Sequence, residues 1–305
     1  MATPSPLSDD AISITAEMLT RPDDEDLDLF GLTHAGRVRT ENQDQFLVAT
    51  VHPQVVVHGT SLPDADALPL RGTRLATLLV IADGVGGSAG GREAARVATE
   101  AITRYVSSTL RSYHAAGTST EDEFLESLRA AALEAHSAVK SHSAGRADAK
   151  NMATTLTLSI IVWPWMYVVQ IGDSRAYFCE KGVLRQLTRD QTIGQELVDQ
   201  GILPPERLPH SPFRHVLSSA IGADAALPVV TRVDVKIGGS LVLLCSDGLT
   251  KHVSDSEIES KCRDMSSSEG LVRDLLDLAL ERGGSDNVTI ICARAVRKKK
   301  TPVTT

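Results

Sequence analysis

The sequence is poor in aromatic residues, in cysteine and in long apolar runs. Phe, Trp and Tyr make up 4% of 305 residues, while hydrophobic residues reach 42%. A sizeable core is therefore available, but it must be built from Val, Ile, Leu and Ala. The four cysteines (Cys179, Cys245, Cys262, Cys292) are widely spaced and form no C-x-x-C pair. That excludes a cysteine zinc motif and a disulfide framework. Cys245 and Cys292 lie in apolar runs and read as small buried hydrophobes. No two of the nine histidines have H-x-x-x-H or H-E-x-x-H spacing, so zinc-protease chemistry finds no support. A basic excess is also lacking, since the formal net charge is −8, which argues against a nucleic-acid partner. The N-terminus has neither the basic nor the apolar part of a signal peptide. The longest apolar stretch, near 156–171, is interrupted by Pro164 and carries Thr157, Ser159 and Gln170, so it does not suit a membrane span. A soluble, cytoplasmic, monomeric protein is expected.

Charge is concentrated at one end. Residues 1–28 carry eight acids against Arg21, a net of −7, and the remainder is close to neutral. Residues 1–28 are expected to be an acidic flexible extension, 29–296 a single domain, and 297–305, which opens on Arg297-Lys298-Lys299-Lys300, a basic tail. Within the domain, β patterns dominate. Phe46–Val51, Leu75–Ala82, Leu241–Cys245 and Val288–Ala293 read as strands. Thr155–Val162 with Met166–Ile171, and Arg175–Cys179 with Val183–Leu187, read as hairpins. Helices are expected from Arg92 to Leu110, from the capping box Thr120–Glu123 to about Ser141, from the similar Ser254–Glu257, and from Glu269 to Arg282 before Gly283-Gly284. Residues 52–73, rich in Pro, Gly and Asp, read as a loop. Strands clustered in hairpins imply mainly antiparallel sheets. Two packed sheets with helices outside each would cover every apolar face, although this pattern alone does not establish that arrangement.

Four aspartates share one syntax: each follows an apolar run and adjoins Gly or Asn. They are Asp83 (VIADGVGG), Asp173 (VVQIGDSRAY), Asp247 (LVLLCSDGLT) and Asp286 (GGSDNVTII), and Asp44 (RTENQDQF) precedes a strand. Asp-Gly is also a common turn dipeptide, and any one site taken alone reads as a turn. Carboxylates at strand ends can converge at a sheet rim, where their repulsion requires cations. Oxygen-only ligands suit Mg²⁺ or Mn²⁺.

Arg39-x-x-Asn42-Gln43-Asp44, Ala82–Gly87, Gly172–Arg175, Ser246–Gly248 and Asp286-Asn287 together resemble the protein phosphatase 2C family, the metal-dependent serine/threonine phosphatases of bacterial type. The resemblance runs from about Phe30 to Ala295. It implies an α+β fold, a four-layer αββα sandwich. It implies two Mn²⁺ or Mg²⁺ ions, in places a third, with Asp83 bridging two and Gly84 offering its carbonyl. By the same resemblance Asp247 and Asp286 complete the first ion's shell. Asp44 binds through water, Asp173 joins Asp247 at a weaker third ion, and Arg39 grips the substrate phosphate. Hydrolysis of phosphoserine and phosphothreonine by a metal-bridging water or hydroxide would follow. The partners would be phosphoproteins, a Ser/Thr kinase among them, in a signal-transduction role.

Two positions depart from the family pattern. Gln43 stands where many relatives carry Glu, and Val85 where eukaryotic members carry His. Neither removes a direct ligand, and activity is expected. Ser88 and Ser246 have no adjacent histidine base, so a serine nucleophile is not expected. Asp190 reads as loop architecture and His34 as structural, and the same resemblance implies that 190–222 is a flap beside the cleft. The alternative reading is a catalytically silent module of the same fold, used for regulation or binding.

Overall fold

The computed structural model describes residues 21–54, 56–58, 61, 70–86, 89–116, 120–144, 152–235 and 240–296. The expectations for residues 1–20 and 297–305, for most of the loop tip at 59–69, and for Gly87 and Ser88 lie outside these residues.

Two five-stranded sheets form the centre. One has β1 (Leu27–His34), β12 (Val288–Ala295), β11 (Ser240–Cys245), β8 (Arg175–Glu180) and β9 (Val183–Gln186) in that order. The other runs β10 (Val229–Asp234), β7 (Trp165–Ile171), β6 (Leu156–Val162), β3 (Ala76–Ala82) and β2 (Gln45–Val51). Every pairing within them is antiparallel. A short ribbon joins β4 (Gly84–Val85) to β5 (Ala153–Thr154). Helices α1 (Ala89–Ala116) and α2 (Glu121–Ser143) cover the second sheet; after the short α3 (Ile193–Asp199) and α4 (Asp247–Thr250), α5 (Asp255–Asp264) and α6 (Ser268–Glu281) cover the first. This is the expected αββα sandwich.

The alternation along each strand explains the layers. On β3, Leu78 and Val80 face α1 and α2, while Leu79 and Ile81 face the other sheet. On β11, Leu243 and Cys245 face α6, while Val242 and Leu244 meet Leu79 and Ile81 in the inter-sheet core. Both faces are covered, so the strands read as unbroken apolar runs. Ala94, Ala98, Ala132 and Ala135 in α1 and α2 are fully buried. A small-residue interface of this kind is how the fold closes with few aromatics.

Capping boxes form at Thr120/Glu123 and Ser254/Glu257 as expected. Strands β1 and β10 carry no strand expectation. Both are sheet edges with half-buried patterns, so the apolar signal is weak. β1 opens at Leu27, inside the segment expected as extension, and pairs with β12 from Leu27↔Ala295. Just before it, buried Arg74 is paired with Asp24 and donates to the Pro22 carbonyl at 2.7 Å.

Candidate active site

The antiparallel register gathers the motifs at one end of the sandwich. Gln45 pairs with Ala82, so Asp44 entering β2 lies beside Asp83 leaving β3. Cys245 pairs with both Ile290 and Arg175, which brings Asp247, Asp286 and Asp173 to the same rim. A cleft of about 570 Å³ opens there, with Arg39, Asp83, Asp173, Asp247, Lys251 and Asp286 on its walls.

The main chain around Asp83 is clamped. Its N–H donates to Thr155 Oγ1 at 3.0 Å, and its carbonyl accepts from Thr155 N at 2.9 Å and Thr154 Oγ1 at 2.8 Å. The next residue must be glycine. A Cβ on Gly84 would lie 2.4 Å from the Gly91 carbonyl oxygen, where α1 passes against the strand end. The same holds at Gly248, whose Cβ would sit 1.9 Å from the Asn287 carbonyl oxygen. The Asp-Gly dipeptides are thus close-packing sites that deliver an aspartate into the cleft. The Gln43 carboxamide oxygen lies against Gly91.

Asp44 is 2% exposed. Its Oδ2 accepts from Ser246 Oγ at 2.8 Å and Thr289 Oγ1 at 2.6 Å, whereas its buried Oδ1 has no partner. Burial pushes the carboxyl up to about 6, against the pull of the two hydroxyls. Asp83 and Asp173 are also pushed well above the ordinary range, first by burial and then by neighbouring aspartates. Asp286 is drawn down: burial opposes ionisation there, but hydrogen bonds from Arg39 and Lys251 outweigh it. Arg39 meets Asp286 with both prongs of its fork, Nε at 2.8 Å and Nη2 at 3.0 Å. Lys251 Nζ lies 2.6 Å from Asp247 Oδ2 and 2.7 Å from Asp286 Oδ2.

All the sequence-derived candidates therefore line or adjoin one cleft. Arg39 and Lys251 are the cations set among the five aspartates Asp44, Asp83, Asp173, Asp247 and Asp286, and one buried oxygen, Asp44 Oδ1, is unsatisfied. Hard oxygen donors with excess negative charge fit Mg²⁺ or Mn²⁺. Ligand atoms of Asp173, Asp247 and His215 also lie within 4.8 Å of one another.

Lys251 and His215 were not among the candidates. Lys251 carried a signal, because a lysine four residues after an aspartate can pair with it on a helical turn. His215 carried none: it reaches the cleft because the flap folds back, with Ile193 N donating to the Val216 carbonyl and Thr192 bridging Leu217. The supporting role of Asn287 was likewise unread. It accepts from Gln43 N and donates to the carbonyls of Ala35 and Glu41, each at 2.9 Å. That ties the Arg39 loop to the Asp286 turn. Ser246, with its hydroxyl committed to Asp44, fits no nucleophilic role. Arg175 forks onto Asp190 at 2.9 and 2.7 Å, which agrees with reading Asp190 as architecture.

A family model for protein phosphatase 2C matches residues 58–281. The serine/threonine protein phosphatase PstP of Mycobacterium tuberculosis is 34% identical over 221 residues, 72% of this chain and 41% of that protein. The chain thus spans about two fifths of that relative's length. The serine/threonine phosphatase stp of Listeria monocytogenes is 28% identical over 259 residues, 85% of this chain and 92% of that protein. The crystal structure of the PstP catalytic domain in complex with two manganese ions superposes with a TM-score of 0.67 at 28% identity, covering 89% of this chain and 99% of that one. Among the described residues, no helix is long and apolar enough to cross a membrane. The acid-rimmed sandwich, the matched model and the 34% identical relative agree, and the chain belongs to the protein phosphatase 2C family.

Proposed function

We propose that the chain hydrolyses phosphoserine and phosphothreonine esters in proteins, a Ser/Thr kinase among them, with divalent cations held in the acidic cleft. The carrying observation is the gathering of Asp44, Asp83, Asp173, Asp247 and Asp286 at one rim with an unpartnered buried oxygen on Asp44. In this reading Asp83, Asp247 and Asp286 hold one Mn²⁺ or Mg²⁺, and Asp83 with the Gly84 carbonyl holds a second. Asp173 and Asp247, with His215 beside them, hold a weaker third. Bound there, divalent cations neutralise the carboxylates and lower the pKa of water toward neutrality.

The chain's own groups do the rest. Arg39 is half exposed at the cleft mouth, and its planar fork, which holds Asp286 here, matches two phosphate oxygens and would exchange the carboxylate for substrate. Asp44, fixed by Ser246 and Thr289 through Oδ2, keeps Oδ1 as a buried acceptor that would orient water beside Asp83. The Thr154–Thr155 clamp holds the Asp83 main chain still, so the geometry is set before substrate arrives. The flap at 190–222 borders the cleft through His215 and Leu217 and selects among peptides.

Turnover of a phosphothreonine peptide with Mn²⁺, with Mg²⁺ and with chelator, beside Asp83→Asn, tests this. Metal-dependent hydrolysis lost in the variant supports it; a folded wild type that is silent with every metal overturns it.

A further inference from the structure

We propose that the Lys251 ammonium is a tethered cation that stands between Asp247 and Asp286 in the metal-free protein and must leave when a divalent ion binds there. The inference rests on the metal-holding reading above and adds to it an internal competitor for the ion.

Local structure builds the contact. Asp247 opens α4 (Asp247–Thr250), and Lys251 caps its end. The single turn carries Nζ back over the aspartate, as i,i+4 spacing allows. Asp286 arrives from the turn before β12 and accepts from the same ammonium. Nζ lies 2.6 Å from Asp247 Oδ2 and 2.7 Å from Asp286 Oδ2, with the three side chains only 19%, 16% and 20% exposed. An ion of Mg²⁺ size joining those two oxygens would bind each at about 2.0–2.1 Å. It therefore falls in the gap that Nζ fills, and the gap does not take both cations. The lysine has somewhere to go. It also lines an adjoining cleft of about 640 Å³ beneath the flap, bordered by Asp190, Arg214 and His215. An unbranched side chain reaches that open space by rotation alone.

The consequence is twofold. Without metal, Lys251 offsets part of the repulsion among the aspartates. With metal, its displacement opposes binding, so occupancy of the centre is weaker than the acid set alone would give.

The test uses the full chain, stripped with chelator and without substrate, so it reads metal binding and not turnover. Calorimetric titration with Mn²⁺ compares wild type with Lys251→Met, which keeps the stem and removes the charge. The control is Lys261→Gln, a lysine paired with Asp274 on the helix surface. Lys251→Met is expected to bind Mn²⁺ about tenfold more tightly and to melt lower than wild type in chelator, with Lys261→Gln unchanged. A second measurement needs no variant: acylation of Lys251 by an amine reagent, read by peptide mass spectrometry, rises when wild type is saturated with Mn²⁺. Equal or weaker Mn²⁺ binding by Lys251→Met, or a Lys251 equally protected at saturating Mn²⁺, overturns the proposal. If Mn²⁺ binds neither chain, the metal-holding reading itself fails; if it binds both alike, only the competitor fails.

Discussion

Two polar clusters lie side by side in this sandwich, and they differ in whether their charge closes. Around Arg175 everything is matched. Its fork meets Asp190, its remaining nitrogen donates to Tyr177 Oη at 3.0 Å, and Tyr177 donates to Asp255 at 2.8 Å. Around Asp83 the carboxylates outnumber the cations and Asp44 Oδ1 has no partner. A buried polar network that is fully paired stiffens a fold, whereas one left open waits for a ligand or is a source of instability. The two clusters share the segment that leaves β7, Gly172–Arg175, so neighbouring residues serve opposite ends. The comparison teaches that an ionisable residue in a family motif is not by that fact part of the chemistry.

Substitutions sharpen or break that contrast. The largest effect belongs to Asp83→Asn. Turnover of a phosphothreonine peptide falls on the order of 10³-fold, about 4 kcal/mol, while the metal-free variant melts no lower than wild type, because a repelling charge is removed. A variant that both loses activity and unfolds would erase the distinction between the clusters. Arg175→Ala does the reverse. It leaves Asp190 without its counter-charge, with only Gln186 among the described residues donating to it, and costs about 3–5 kcal/mol in urea unfolding, with kcat in the folded fraction within about threefold of wild type.

Arg39→Ala is smaller, because the guanidinium is half exposed. It lowers kcat/KM about 10–100-fold, up to about 2.7 kcal/mol, and Arg39→Lys restores little because it lacks the fork. Next comes a pH effect at Asp44. Its carboxyl lies at about 6 in the folded chain against 3.8 ordinarily. A carboxyl raised on folding favours the folded state while protonated. Its contribution is therefore complete below about 3.8 and is lost as pH rises through about 6. In chelator, wild type should lose about 2–3 kcal/mol relative to Asp44→Asn across that window, measured as paired urea midpoints. A flat difference would show that Asp44 is already neutralised by the protein. The smallest effect is a flap exchange over 195–215, which shifts peptide preference by about tenfold or less while sparing a small aryl phosphate.

Much of the architecture was legible. Capping boxes at Thr120 and Ser254, the glycine stop after α6 and the hairpins flanking Pro164 and Gly182 are local signals, and local chemistry honoured them. The edge strands β1 and β10 were not legible, because neither has a buried apolar run or a tight turn beside it, whereas the other two edges, β2 and β9, are marked by the apolar run Phe46–Val51 and by the Lys181-Gly182 turn. At the site, the aspartates were visible through their shared syntax. Lys251 was visible in principle from its spacing to Asp247, whereas its second partner, Asp286, lies 35 residues on. His215 had no signal, since nothing in the flap sequence states where the flap folds back.

By itself the sequence determined most of the strands and helices, β1 and β10 excepted, and which acids follow apolar runs, because both depend on neighbours within a few positions. Only the tertiary structure decided that these acids share one rim. The Asp44–Ser246 hydrogen bond spans 202 residues and the Arg39–Asp286 fork spans 247. Antiparallel register across two sheets is what closes such distances. The same closure set the balance of charge, leaving Asp44 Oδ1 unpaired and pressing Lys251 between two carboxylates, a sum over contacts that no single stretch of chain contains.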